Sequence, residues 1–501
     1  MGIFIILGSV LGCYLAFKLV KEFLRSPLPP GPMKLPLLGN VLNGVPPHPQ
    51  WAHFKEWSRN YNSDIISIKF FDTVVIIVNS VADAQELFLR RGQVYSNRPV
   101  VPMVELMDFG WSFPFHQYGT EQWKAGRRLF HQEFDVNRPL IHPIETTAAL
   151  SLVKRLLDDP HNLEKRIRHM AGDVILSTAY GIDVLPENDP NIQHADDVIK
   201  DLATAFNPAS YLVNLLPSLQ YIPEWFPGAG WKIKLKAWRK ASSELRNAPF
   251  EELKERVANG TTKPCVGSRL LADIRERGDD PQELDVLSSM LGTMFGAGSD
   301  TTVSALLTCI LGMLLYPEAQ RKAQAALDSV TQGKRFPSFH DRENLPYIEA
   351  CVKEALRWNP VGPLAAPHVT SQDDYYKGYL IPKGSVVLGN SHAILRDEAV
   401  YGPDVDAFRP DRFLNEDGTL KKGMDSEAAF GYGRRICPGR NMARDSIFIT
   451  IAYLLFSYEF SVIEGDAPMA EYTSGLTVFP LPYRCKITPR SEEIKALIRD
   501  L

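Results

Sequence analysis

The sequence predicts a mainly α-helical protein with a minor β region, behind one N-terminal transmembrane helix. Three observations predict this. Thr146–Val330 carries mostly helical apolar periodicity, broken by proline-rich turns. Asp64–Val78 is rich in β-branched residues and reads as a hairpin turning at Phe71-Asp72-Thr73. Ile3–Phe17 is uncharged and nearly all apolar, and that character runs on through Leu19 and Val20.

In chain order, the N-terminal segment comes first. At 1.5 Å rise per residue, ~18 residues span ~27 Å, enough for a thin bilayer. Lys18 can snorkel. Lys18, Lys21, Arg25 and Lys34 all follow the apolar run, so the positive-inside rule puts the rest of the chain in the cytoplasm. The expected organisation is a membrane anchor over 1–24, a proline-rich hinge over 25–40 and one large folded domain over 41–501. The hinge rests on Pro27-Leu28-Pro29-Pro30-Gly31-Pro32, where proline precludes helix and stiffens the chain.

Leu284–Leu315 reads as one long helix stopped by Tyr316-Pro317. It carries Gly296-Ala297-Gly298-Ser299-Asp300-Thr301-Thr302 at its centre. Mid-helix glycine costs about 1 kcal/mol relative to alanine. Glycines and a polar run together in an apolar helix point to function. After Pro360 short strands and turns appear, with turns at Lys377-Gly378-Tyr379 and Pro382-Lys383-Gly384.

Composition narrows the function. The net charge of −4 gives no electrostatic case for nucleic-acid binding. The six cysteines are dispersed, with no CxxC pair, which suits a reducing compartment. Cys437 stands apart from the others in Phe430-Gly431-Tyr432-Gly433-Arg434-Arg435-Ile436-Cys437-Pro438-Gly439. Glycines flank it and allow backbone N–H groups to approach a sulfur. Arg435 supplies a cation two residues earlier. A lone cysteine in a glycine-rich turn reads as structural; a thiolate iron ligand is the other reading the run allows.

That run resembles the haem-binding loop of the cytochromes P450, Phe-x-x-Gly-x-Arg-x-Cys-x-Gly, at every fixed position. The resemblance implies haem b as cofactor, with Cys437 on the iron and Phe430, Arg435 and Gly439 in the cofactor loop. Gly296–Thr302 resembles the family's oxygen-binding motif. By position, Ala297 and Gly298 would let haem and dioxygen approach the helix. Thr301 would hydrogen-bond the reduced dioxygen, and Asp300 would help deliver protons; these two are the expected catalytic residues. Trp123-Lys124-Ala125-Gly126-Arg127 resembles the Trp-x-x-x-Arg motif, which places Trp123 and Arg127 at a haem propionate, with His368 and Arg435 beside them. Glu354-x-x-Arg357 and Pro410-Asp411-Arg412-Phe413 match the family's structural motifs and imply a buried triad of Glu354, Arg357 and Arg412.

The implied fold is the haem-thiolate monooxygenase fold on the endoplasmic reticulum membrane, single-pass, with its catalytic domain cytoplasmic. The implied partner is an NADPH-cytochrome P450 reductase. The sequence texture is similar to that of basidiomycete members of secondary metabolism, in the group related to O-methylsterigmatocystin oxidoreductase. The expected reaction is hydroxylation or epoxidation of a lipophilic small molecule such as a terpenoid, with O2 and NADPH-derived electrons. The rivals are a reductase-independent isomerase or dehydratase and a non-enzymatic haem carrier or sensor. The intact Asp300-Thr301 pair argues against both.

Substrate contacts are expected from apolar side chains: the Val100–Tyr118 segment, Met290, Met294 and Phe295, Val361 to Ala365, and Leu476, Val478 and Phe479. Tyr221–Gly228, followed by the basic Lys232–Lys240, reads either as a membrane-dipping loop or as a packed interior loop. Asn259-Gly260-Thr261 is a glycosylation sequon that would stay unmodified in the cytoplasm.

Overall fold

The computed structural model describes residues 26–36, 38–42, 46–206, 210–214 and 216–501. The expected membrane anchor over 1–24 lies outside the described residues. The chain divides into two compact units, and the first comprises Met1–Pro99, Leu364–Ile394 and Gly431–Ile436.

The first unit is built on a four-stranded sheet. Strands β1 (Ile65–Phe70) and β2 (Thr73–Val78) form the expected hairpin, with Phe71 left-handed at φ 52° in the turn. Farther along come β3 (His368–Val369), β4 (Asp374–Tyr376), β5 (Tyr379–Ile381) and β6 (Val386–Gly389). The sheet order is β1-β2-β6-β3, with β6 parallel to β2. Strands β4 and β5 form a separate hairpin whose turn is Lys377-Gly378. Helix α1 (Gln50–Asn60) places Phe54 against Ile66, Ile68 and Ile77.

The proline-rich segment docks on this sheet. Ser67 donates its N–H to the Pro30 carbonyl (2.8 Å) and its hydroxyl to Pro29 (2.5 Å), while Leu380 N–H reaches Pro27 (2.9 Å). Proline has no N–H to give but keeps a carbonyl that accepts, so it suits the edge of a sheet.

The second unit comprises Val100–Pro363, Leu395–Phe430 and Cys437–Leu501. Its longer helices are α2 (Glu121–His131), α3 (His142–Asp158), α4 (Leu163–Tyr180), α5 (Pro190–Phe206), α6 (Trp231–Ala258) and α7 (Val266–Glu276). They continue with α8 (Pro281–Leu315), α9 (Pro317–Thr331), α10 (Pro346–Trp358), α11 (Arg440–Ser457) and α12 (Glu492–Arg499). Strands β7 (Tyr458–Ser461) and β8 (Lys486–Pro489) pair antiparallel.

Helix α8 is the axis of this unit and packs against α4, α5, α6, α10 and α11. It starts three residues before the expected Leu284, because Asp280 caps it, accepting from Gln282 N–H (3.0 Å), and Pro281 occupies the first turn. From Leu287 to Leu314 it is almost entirely buried, which apolar length alone cannot distinguish from a membrane span.

Glu354 and Arg357, on α10, are fully buried and joined at 2.6 and 2.9 Å. Arg412 donates Nε to the same carboxylate (3.0 Å), as does the Arg409 backbone N–H (2.7 Å). Two buried cations thus share one carboxylate, and carbonyls of Leu395 and Ala407 take remaining Arg357 donors. At the other extreme, Tyr221 and Trp225 are each 81% exposed, which removes the packed-interior reading of that loop.

Candidate active site

The cysteine loop is closed by its own backbone. Cys437 N–H donates to the Phe430 carbonyl (2.8 Å), and α11 begins three residues later at Arg440. Burial pushes the Cys437 thiol up; the Gly439 N–H on its sulfur and the charges of Arg127 and Arg440 pull it down. These are the groups that favour a thiolate. The Phe430 ring lies 5.0 Å beneath the Arg444 guanidinium.

Helix α2 brings Trp123 and Arg127 to one face, one turn apart. Its start is set by Thr120, whose hydroxyl accepts from Trp123 N–H (3.4 Å). Tyr118 meets the Trp123 ring edge-on at 4.9 Å. Arg127 is the residue on α2 whose charge acts on Cys437.

Helix α8 opens at one place. Ala297 is exposed, and Thr301 and Thr302 are half-buried, amid turns that are otherwise buried. Ala297 and Thr301, four apart, therefore share an open stripe. The Thr301 hydroxyl donates to the Ala297 carbonyl (2.9 Å), leaving its oxygen lone pairs to accept from a neighbour. At Gly298 the missing side chain also serves a helix–helix contact. A Cβ there would press on Ile175 Cγ1 at 2.9 Å, so glycine permits the crossing of α4 and α8.

Asp300 faces away from that stripe. Its Oδ1 accepts from Arg168 on α4 (2.8 Å), and Arg168 also donates to Asp196 (2.8 Å) and Glu164 (3.2 Å). Lys200, on the exposed side, reaches Asp196 at 2.5 Å. Burial raises the Asp300 carboxyl above its ordinary range, and Arg168 opposes the rise. Arg168 is a residue sequence reasoning missed; a lone arginine on an amphipathic helix carries no distinguishing signal.

In the first unit, the buried His368 and Arg435 and the half-buried Arg98 form a basic cluster. His368 Nδ1 donates to the Tyr95 carbonyl (2.6 Å), so its Nε2 is left as the acceptor in the neutral ring. Arg98 donates to the carbonyls of Ala366 (2.8 Å) and Pro367 (2.6 Å), and Arg435 to that of Ser96 (2.7 Å). Burial, then Arg435, lowers Arg98 to about 9. Burial, then Arg98 and Arg435, holds His368 well below its usual range. Cations that depress one another in a buried place fit an anionic group. Arg98 was also missed by sequence reasoning; the signal was an arginine-proline pair just before the apolar Val100–Val104 stretch.

Several expected substrate segments come together in the second unit. Val478 N–H bonds the Val361 carbonyl (2.9 Å), and Ser304 on α8 donates to the Val478 carbonyl (2.6 Å). Ser112 and Thr293 pair at 2.9 Å, which ties the Val100–Tyr118 stretch to α8. Met103, Met107, Phe109, Phe113, Phe295 and Val478 are all buried.

The residues of the second unit fit a haem: they supply a loop thiol with an N–H on its sulfur and an opened stripe on the central helix. The first unit, by itself, holds a cation cluster suited to carboxylates.

Comparison with known proteins agrees with this chemistry. The family model described as Cytochrome P450 matches residues 29–487. Cytochrome P450 monooxygenase eriA of Hericium erinaceus is 38% identical over 485 residues, covering 95% of this chain and 91% of its own length. Cytochrome P450 monooxygenase 98 of Postia placenta is 39% identical, covering all of this chain and 97% of its own. Tryptamine 4-monooxygenase of Psilocybe cyanescens is 37% identical, covering 98% and 99%.

Proposed function

The chain belongs to the cytochrome P450 family of haem b, oxygen-dependent oxidoreductases, and from that premise we propose a membrane-bound fungal monooxygenase of secondary metabolism. It hydroxylates or epoxidises a lipophilic small molecule such as a terpenoid, with electrons from NADPH through a cytochrome P450 reductase. The observation that carries this reading is the division of labour on α8. Ala297 and Thr301 face an opening, while Asp300 one residue away is wired to Arg168 and Asp196.

When bound, haem supplies the activation of dioxygen. Cys437 would hold its iron, and Trp123, Arg127, His368, Arg435 and Arg98 would hold its propionates. The chain's own residues do the rest. Thr301 keeps a hydroxyl oriented by the Ala297 carbonyl, able to accept and pass a proton at the reacting oxygen. Asp300 receives protons through the Arg168–Asp196–Lys200 chain, whose outer end meets solvent. The buried Met and Phe side chains exclude water and favour an apolar substrate. A proton route to the oxygen site has no use in a carrier or an isomerase, and the relatives' names support a monooxygenase.

The exposed Tyr221 and Trp225 beside Lys232 and Lys234 support contact with a membrane surface, in line with an anchor over 1–24 and a cytoplasmic catalytic domain at the endoplasmic reticulum.

The test is coexpression with a fungal reductase and feeding of a panel of terpenoids, simple aromatics and indoles, the last because one relative is named for tryptamine. The expected result is an NADPH-dependent product heavier by one oxygen atom. Cys437→Ala should lose both that product and the thiolate-type carbon-monoxide band. Product formation without NADPH or reductase would overturn the reading. Removal of residues 1–26 should leave haem protein that partly leaves the membrane fraction.

A further inference from the structure

Away from the cysteine loop, helices α3 and α11 bring together side chains that the proposed chemistry does not use. His142 and Glu145 sit three apart in the first turn of α3, and Asp445 lies in the second turn of α11. One ligand atom from each lies within 4.8 Å of the other two. We propose that His142, Glu145 and Asp445 form a binding site for a divalent ion of the zinc type, clamping α3 to α11.

A second observation points to a ligand. Glu145 is 1% exposed; Ser446 donates to its Oε1 (2.6 Å), yet its Oε2 has no hydrogen-bond partner among the described residues. A buried carboxylate oxygen left without a partner is costly, and a cation would satisfy it. The donor set is one imidazole and two carboxylates, which suits a borderline ion such as zinc.

The surroundings hold the donors in place, as ligand partners do in metal sites. The His142 ring stacks on Phe339, centroids 3.8 Å apart and planes 14° off parallel. Its Nε2 lies 3.0 Å from Asp445 Oδ2. Asp445 is also held by Arg138 (3.0 Å to Oδ2) and by Arg342, which pairs in turn with Glu349 at 2.8 Å. A carboxylate has about four lone-pair positions, so these contacts leave Asp445 able to ligate. Coordination would replace the His142–Asp445 hydrogen bond by a shared ion, while Arg138 and Arg342 stay on the same carboxylate. His142 is 24% exposed, which gives the ion a path from solvent and a place for a water ligand.

The test uses the haem-loaded full chain, stripped with a chelator and dialysed. Zinc chloride alone is titrated and followed by calorimetry, and zinc per haem is counted after dialysis. The expected result is one zinc per chain beyond the haem iron, with an upward shift in melting temperature of about 3–5 °C at saturating zinc. Glu145→Gln keeps the shape of the side chain and should weaken binding at least ~10-fold, and His142→Gln should do the same. His142 is partly exposed, so that variant is expected to fold. The exposed His161→Gln should bind as the parent does. No stoichiometric zinc on the parent at ~100 µM would overturn the proposal. Undiminished binding by Glu145→Gln or His142→Gln would overturn it too.

Discussion

Asp300 and Thr301 are adjacent in sequence yet face different surroundings. Thr301 bonds the Ala297 carbonyl on the open stripe, and Asp300 is held by Arg168. Their substitutions should therefore fail differently. Thr301→Ala should keep NADPH oxidation but divert it to hydrogen peroxide. Asp300→Asn and Arg168→Gln should each slow NADPH oxidation, within the ~10²–10⁴-fold range of positioned proton transfer. Because both lie on one chain of contacts, the double variant should be no slower than the worse single one. A paired assay of NADPH, peroxide and product with reductase separates these outcomes; unchanged coupling in Thr301→Ala would remove its proton role. Glu145 gives a second prediction at this scale. Burial raises its carboxyl from 4.5 to about 8, so the folded chain keeps a proton that the unfolded chain has released. Its contribution is therefore full below the ordinary carboxyl range and is lost as pH rises toward about 8. At about 1.4 kcal/mol per unit, the loss is on the order of a few kcal/mol. Glu145→Gln, melted in chelator at a series of pH values, should show a flatter decline than the parent.

At the scale of elements, α8 holds its place through small residues as much as large ones. A Cβ at Gly312 would lie 2.5–2.7 Å from three ring atoms of Phe408. Alanine would gain about 1 kcal/mol in helix propensity. Overpacking against a rigid ring costs about 1–3 kcal/mol, so the clash should prevail. Gly312→Ala should therefore lower the melting temperature by a few degrees while leaving the carbon-monoxide spectrum intact. A rise would mean that the Phe408 ring moves aside freely. The same logic explains why α8 tolerates glycine mid-helix: at Gly298 the close neighbour is Ile175 of α4, and helix crossing offsets the propensity cost.

For the molecule as a whole, the Glu354–Arg357–Arg412 cluster ties α10 to segments some fifty residues further along the chain. Removing one partner of a buried ion cluster costs about 3–5 kcal/mol, because the opposing charge stays buried and uncompensated. Glu354→Gln strands two guanidinium groups. It should reduce soluble holoprotein severely and melt well below the parent, with loss of haem rather than a change of product. Holoprotein of parental yield and melting temperature would show that the carbonyls of Leu395 and Ala407 suffice for the arginines.

What the sequence determined on its own is local. The hairpin, the long helix with its Tyr316-Pro317 stop, and the glycine-flanked cysteine loop were legible because periodicity, turn chemistry and motif spacing act over a few residues. The family's motifs supplied the roles proposed for Cys437 and Thr301 in the same way. The tertiary structure alone decided which distant groups meet. It put Arg168 on Asp300 and gathered Arg98 with His368 and Arg435. It laid Pro27–Pro32 along β1 and set Glu145 beside Asp445. None of these contacts has a sequence period. Each joins residues far apart in the chain, where burial strengthens charge interactions and leaves each polar atom dependent on the partner the fold supplies.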